Sequence, residues 1–148
     1  FPAEEFMFEQ GRVGVGSDSN VEISAKGELR LLEYGQRLTR RARNVLAGGE
    51  GSTGTNLYTS CLSGGAQALA APPAEIAVGA PGDLLSLSDH FDIPSAADQT
   101  LDRWIFANGL SISDVWAAGR HLVSGGRHHN RDSVEQAFSK AMRRILAS

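Results

Sequence analysis

Cysteine occurs once in the 148 residues, at Cys61. A disulfide within the chain is therefore impossible, and this usage fits a reducing, cytoplasmic setting. Long apolar runs are missing as well: none approaches the roughly 18 residues of a membrane span, so no transmembrane helix is expected. Residues 1–9 mix acids into their apolar side chains and lack a basic start, which argues against a secretory signal there. Positive charge is not in excess either. A net charge of −3 leaves no broad electrostatic footprint for nucleic acid. Internal repeats and low-complexity tracts are absent. What remains, 41% hydrophobic and 21% charged residues, is the composition of an ordinary globular protein. The length suffices for one domain and its core but not for a complete large barrel enzyme.

Periodicity sets out the elements. Phe6, Met7 and Phe8 form a short segment broken at Gly11. Residues 12–16, Arg-Val-Gly-Val-Gly, read as a short buried strand ending in the turn-forming cluster Ser17-Asp18-Ser19-Asn20. Residues 28–47 are helical in pattern, with Leu31, Leu38, Ala42 and Val45 on one face and Arg30, Arg37, Arg40 and Arg41 free to point to solvent. After a glycine-rich loop, Ser52 or Thr53 can cap a helix over residues 55–70 with Leu57, Cys61 and Leu69 inward. Beyond Pro72-Pro73, short strands are expected at 76–78, 83–87, 114–117 and 122–124. The last two form a hairpin around Ala118-Gly119. A helix at 97–108 carries Leu101, Trp104 and Ile105. A final helix at 131–146 has Val134, Phe138, Met142 and Ile145 as its buried edge. A lone buried strand at 12–16 cannot satisfy its own edges. Either the β-rich part pairs with it, or its neighbours lie outside these residues.

Chemistry concentrates at Gly14-Val15-Gly16-Ser17-Asp18-Ser19-Asn20. A carboxylate at the carboxyl end of a buried strand stands on a rigid support facing a crevice, where α/β enzymes place catalytic groups. Such an aspartate can bind a metal and accept a proton from activated water. From spacing alone, a cap or an Asx turn is the somewhat better account of Asp18 than catalysis. Rival motifs are weaker. Gly14-x-Gly16 lacks the third glycine of a dinucleotide fingerprint, and Gly51-Ser-Thr-Gly-Thr55 lacks the lysine of a P-loop. His90, His121, His128 and His129 contain no His-x-His pair, and Cys61 lies in an apolar helical stripe as a core thiol.

Gly14-Val-Gly-Ser-Asp-Ser-Asn20 with Glu28-Leu-Arg-Leu-Leu-Glu-Tyr-Gly-Gln-Arg-Leu38 resembles the carboxy-terminal part of formiminoglutamate deiminases, hydrolases of the amidohydrolase superfamily in bacterial histidine degradation. Similarity continues through Gly64-Gly-Ala-Gln-Ala-Leu69, Ile76-Ala-Val-Gly-Ala-Pro-Gly-Asp-Leu-Leu85, Leu101-Asp-Arg-Trp-Ile-Phe-Ala107 and Asp114-Val-Trp-Ala-Ala-Gly-Arg120. Gly82-Asp83 departs from the Ala-Asp more usual in the superfamily.

The resemblance implies an α/β fold, the carboxy-terminal fragment of a (β/α)8 metal-dependent hydrolase barrel plus part of a small β-sandwich domain. Residues 1–71 would hold the eighth strand and closing helices, residues 72–128 the β-sandwich portion with an inserted helix, and residues 129–148 a terminal helix. The implied reaction hydrolyses N-formimino-L-glutamate to N-formyl-L-glutamate and ammonia. One zinc would activate water, with Asp18 as metal ligand and catalytic proton acceptor. The remaining ligands and the substrate-binding residues belong to a missing amino-terminal part, so the isolated chain is expected to be inactive. A homodimer is also implied. Two other readings are another amidohydrolase deaminase and a non-catalytic β-rich interaction module.

Overall fold

The computed structural model describes residues 1–49, 51–94 and 96–147. The chain divides into two compact units, one of Phe1–Ala80 with Asp89–Leu110, the other of Pro81–Ser88 with Ser111–Ser148.

The first unit is helical: α1 (Ala3–Phe8), α2 (Ala25–Arg40), α3 (Thr53–Ala68), a short 3-10 turn at Ala97–Gln99, and α4 (Thr100–Phe106). Ser24 caps α2 by accepting the Gly27 N–H at 3.1 Å. Ser52 caps α3 by accepting that of Thr55 at 3.0 Å, so the expected Ser52 cap is the one used. Each satisfies a helix-start donor that has no partner within the helix. Leu57 and Cys61 point inward from α3, as do Trp104 and Ile105 from α4. Burial pushes the Cys61 thiol pKa up, consistent with a core thiol rather than a nucleophile. The Gly54 N–H donates to Asp102 at 2.7 Å, joining the starts of α3 and α4.

The buried face of α2 is not the expected one. Leu31 and Leu38 are 60% and 82% exposed, while Leu29, Glu33 and Gln36 are buried. Polar residues occupy the inner stripe because they have partners there. Fully buried Glu33 accepts the N–H groups of Val45 (3.1 Å) and Leu46 (3.0 Å) and pairs with Arg37 at 2.6 Å. Gln36 accepts the Ala3 N–H and donates to the Phe1 carbonyl. Arg37, expected in solvent, lies over the rings of Tyr34 and Phe106 at 5.1 and 5.2 Å. Arg40 pairs with Glu4 and Glu5 of α1. Leu69 lies just past the end of α3 and is exposed, and residues 76–78 form no strand.

The second unit carries most of a four-stranded sheet of order β1-β2-β3-β4, built from β1 (Leu84–Asp89), β2 (Leu110–Ala117), β3 (Arg120–Ser124) and β4 (Arg127–His128). β2, β3 and β4 are successively antiparallel. The expected hairpin forms, with Ala118 and Gly119 both at positive φ, 49° and 73°. These are the angles that let a two-residue turn follow the strand twist. The Ala118 N–H also donates to Asp83 at 2.6 Å. Helix α5 (Arg131–Leu146) has the expected bounds, but none of its residues is buried. Val134, Phe138 and Ile145 are exposed and Met142 only half-buried, so the expected edge is not a buried one. Among those residues no helix is long and apolar enough to cross a membrane.

Candidate functional site

Residues 12–16 run without strand hydrogen bonding, and they are not part of the sheet. The expected buried strand does not form: residues 12–16 are half-buried to exposed, and a ladder needs a neighbouring strand that no described residue supplies. Its support is α3. The Arg12 guanidinium donates to the Ser63 hydroxyl at 3.2 Å. Backbone meets backbone at Gly64, where a Cβ would fall 2.0 Å from the Val13 carbonyl oxygen. One residue on, a Cβ at Gly14 would lie 3.2 Å from the Cα of Gly65. At Gly64 only an absent side chain permits such an approach.

The segment ends in a turn at 17–20. The Asn20 N–H closes it on the Ser17 carbonyl at 2.7 Å. Asp18 sits at φ 40°, a left-handed conformation that aspartate tolerates better than most residues. The turn thus explains part of the preference for aspartate. It does not explain the carboxylate: Asp18 is exposed, and among the described residues no hydrogen bond or ion pair to its side chain is found. Ser24, not Asp18, caps α2. The Asn20 side chain donates to Glu28 in the first turn of α2 at 2.6 Å, tying the turn to the helix.

As a metal centre this arrangement is one member, not a site. Asp18 supplies a single hard carboxylate donor of a kind zinc accepts, but catalytic zinc takes about three protein ligands. Among the described residues no group of three or more His, Cys, Asp or Glu is placed to hold an ion. The donor chemistry fits zinc and the donor number does not. A cleft of about 870 Å³ is lined by Arg12, Val13, Leu46, Ser60, Gly64 and others, but not by Asp18.

A separate polar cluster escaped the reading of the sequence. On the sheet, His121 pairs with Asp114 at 2.9 Å and stacks on Trp116 with ring centroids 4.6 Å apart. The Asp114 carboxyl is held below its ordinary pKa by hydrogen bonds from Ser113, His121 and Ser86. The signal was available: a hairpin turning at 118–119 sets Trp116 opposite His121. His128 accepts the Asn130 N–H through Nδ1 on an exposed strand.

No protein-family model matches the chain. It is 43% identical over 150 residues to the formimidoylglutamate deiminase of Pseudomonas aeruginosa, an alignment spanning 99% of this chain and 33% of that protein. An amidohydrolase from Brucella melitensis superposes with a TM-score of 0.93 at 46% identity, over 99% of this chain and 33% of the other. A zinc-bound adenosine deaminase from Xanthomonas campestris superposes with a TM-score of 0.78 at 18% identity, over 99% and 34% of the two chains, a likeness of fold alone. The chain spans about a third of the length of these relatives. The resemblance to formiminoglutamate deiminases read from the residues holds across nearly the whole chain.

Proposed function

We propose that these residues are the carboxy-terminal third of a zinc-dependent deiminase that hydrolyses N-formimino-L-glutamate to N-formyl-L-glutamate and ammonia. The observation that carries this is the 43% identity to a formimidoylglutamate deiminase across 99% of the chain. The exposed carboxylate of Asp18, unpaired among the described residues, supports it at the level of the residue. On this reading residues 12–16 are the eighth strand of a (β/α)8 barrel and α2 and α3 close it. The strands of the second unit belong to a β-sandwich, and α5 is the terminal helix. The protein works in the cytoplasm as a homodimer.

Zinc, when bound, supplies an electrophilic centre that makes water a nucleophile near neutral pH. Asp18 contributes one oxygen donor and takes up a proton at its free carboxylate oxygen, to be returned to the departing nitrogen. The other ligands and the groups that grip the glutamate come from the amino-terminal part, so the 148 residues alone are inactive.

In the complete polypeptide, Asp18→Asn is expected to lower turnover by at least about 100-fold, the scale of a lost general base. The near-isosteric change leaves the fold intact. Turnover is measured on N-formimino-L-glutamate beside a panel of amino-substituted nucleobases and nucleosides. Wild-type-like activity of the variant would refute the role of Asp18; preference for a nucleobase would make the protein a different deaminase.

A further inference from the structure

We infer that Asn20 and Glu28 are positioning residues, a two-residue clasp that holds the Asp18 turn against the start of α2. The inference rests on the reading of Asp18 given above and assigns it a support.

The stretch between the α3 seat at Val13 and the Ser24 cap has little else to hold it. Val15, Val21 and Ile23 are exposed, the last two almost completely, so packing does not fix the backbone there. Among the described residues, two hydrogen bonds order this stretch, and both come from Asn20. Its backbone N–H closes the turn on Ser17, and its side-chain amide reaches Glu28 at 2.6 Å. One residue therefore both shapes the turn and ties it to a helix. The helix end is a firm anchor, since the Ser24 cap fixes the first turn of α2 and an acid there is favoured by the helix dipole. A bond to an ionised carboxylate is shorter and stronger than a neutral one, which suits an exposed tether.

The side-chain chemistry is directional. Asparagine donates from Nδ2 and glutamate accepts, so glutamine at 28 still accepts through its amide oxygen, whereas aspartate at 20 removes the donor and sets two like charges together. Supports of this kind around a metal ligand typically change affinity or activity by about 10–100-fold when removed.

The test uses the complete polypeptide with Asn20→Ala, Asn20→Asp, Glu28→Ala, Glu28→Gln and the Asn20→Ala/Glu28→Ala pair. Two readouts are taken beside the melting temperature: hydrogen exchange of the Asn20 amide in metal-free protein, and zinc retention against a chelator. Expected are faster exchange and about 10-fold or more weaker zinc retention for Asn20→Ala and Glu28→Ala, at nearly unchanged melting temperature. Asn20→Asp should be worse, Glu28→Gln close to wild type, and the pair no worse than either single change. Unchanged exchange in Glu28→Ala, or equal losses in Glu28→Gln and Glu28→Ala, would overturn the clasp. An Asp18→Asn control separates the two ideas. If wild type and Asp18→Asn hold zinc equally, the assignment of Asp18 falls, while the exchange measurement still decides the clasp.

Discussion

The two units bury their side chains very differently. In the helical unit, Leu57 and Ile105 are enclosed, and Leu29, Leu46, Cys61 and Trp104 are buried, as is Glu33. In the sheet unit no described residue is buried at all. Its order comes from the backbone ladder, the tight turn at Ala118-Gly119 and polar side-chain pairs such as Ser86 with Ser113 and Asp114 with His121. Small sheets without an apolar partner are marginal. The helical unit should therefore respond to lost volume and lost internal polar partners, and the sheet unit to lost charges and turn geometry.

The largest expected effect is Leu57→Ala in the helical unit, a loss of about 2–5 kcal/mol in urea unfolding of the 148-residue chain, as for other buried leucines. A loss below about 1 kcal/mol would show that the site collapses freely. Next is Glu33→Ala, at about 3 kcal/mol, because two backbone N–H groups and Arg37 lose their acceptor. Glu33→Gln should retain part of this, and equal stability of all three proteins would deny Glu33 its structural role.

Acid should act on both units. The Asp89 carboxyl is held below the usual range first by the Phe91 N–H and then by Arg103, and that of Asp114 first by Ser113 and then by His121. A depressed carboxyl contributes stability above its unfolded pKa, near 3.9, and loses it as pH falls through the lower folded value. Each unit has one tryptophan, Trp104 and Trp116, so two indole N–H resonances follow them separately. Asp89→Asn should flatten the acid response at Trp104 and Asp114→Asn that at Trp116. Crossed or absent effects would break the distinction.

The smallest effect is expected for Phe138→Ser on α5, within about 0.5 kcal/mol in the same chain, since Phe138 is 65% exposed. A loss near 2 kcal/mol would mean that α5 packs against an apolar surface after all.

Local signals were well read in the sequence. Ser52 caps where a helix-start donor needs it, α5 runs over the expected Arg131–Leu146, and Gly119 turns the hairpin. Faces were read correctly for Leu57 and Cys61 of α3 and for Trp104 and Ile105 of α4, but not for α2 and α5. Leu31 and Leu38 share a helical stripe with apolar spacing, yet Glu33 and Gln36 lie inside because they find N–H donors and a carbonyl that periodicity does not register. Of the candidate site, the turn that carries Asp18 was legible, but the contacts flanking it were not. Gly64 under Val13 and Glu28 beside Asn20 are contacts across 51 and 8 residues, which only a folded backbone brings together.

By itself, then, the sequence determined that helices form in these four stretches, with bounds met only at α5, where the hairpin turns and which relatives the chain resembles. These depend on neighbours along the chain and on residue identity. The tertiary structure decided which side of α2 is buried, that Val13 and Gly14 lie on the glycines of α3, and that the Asp18 carboxylate has no partner among the described residues. Burial and pairing are properties of surfaces that meet, and their free energy depends on what fills the other side.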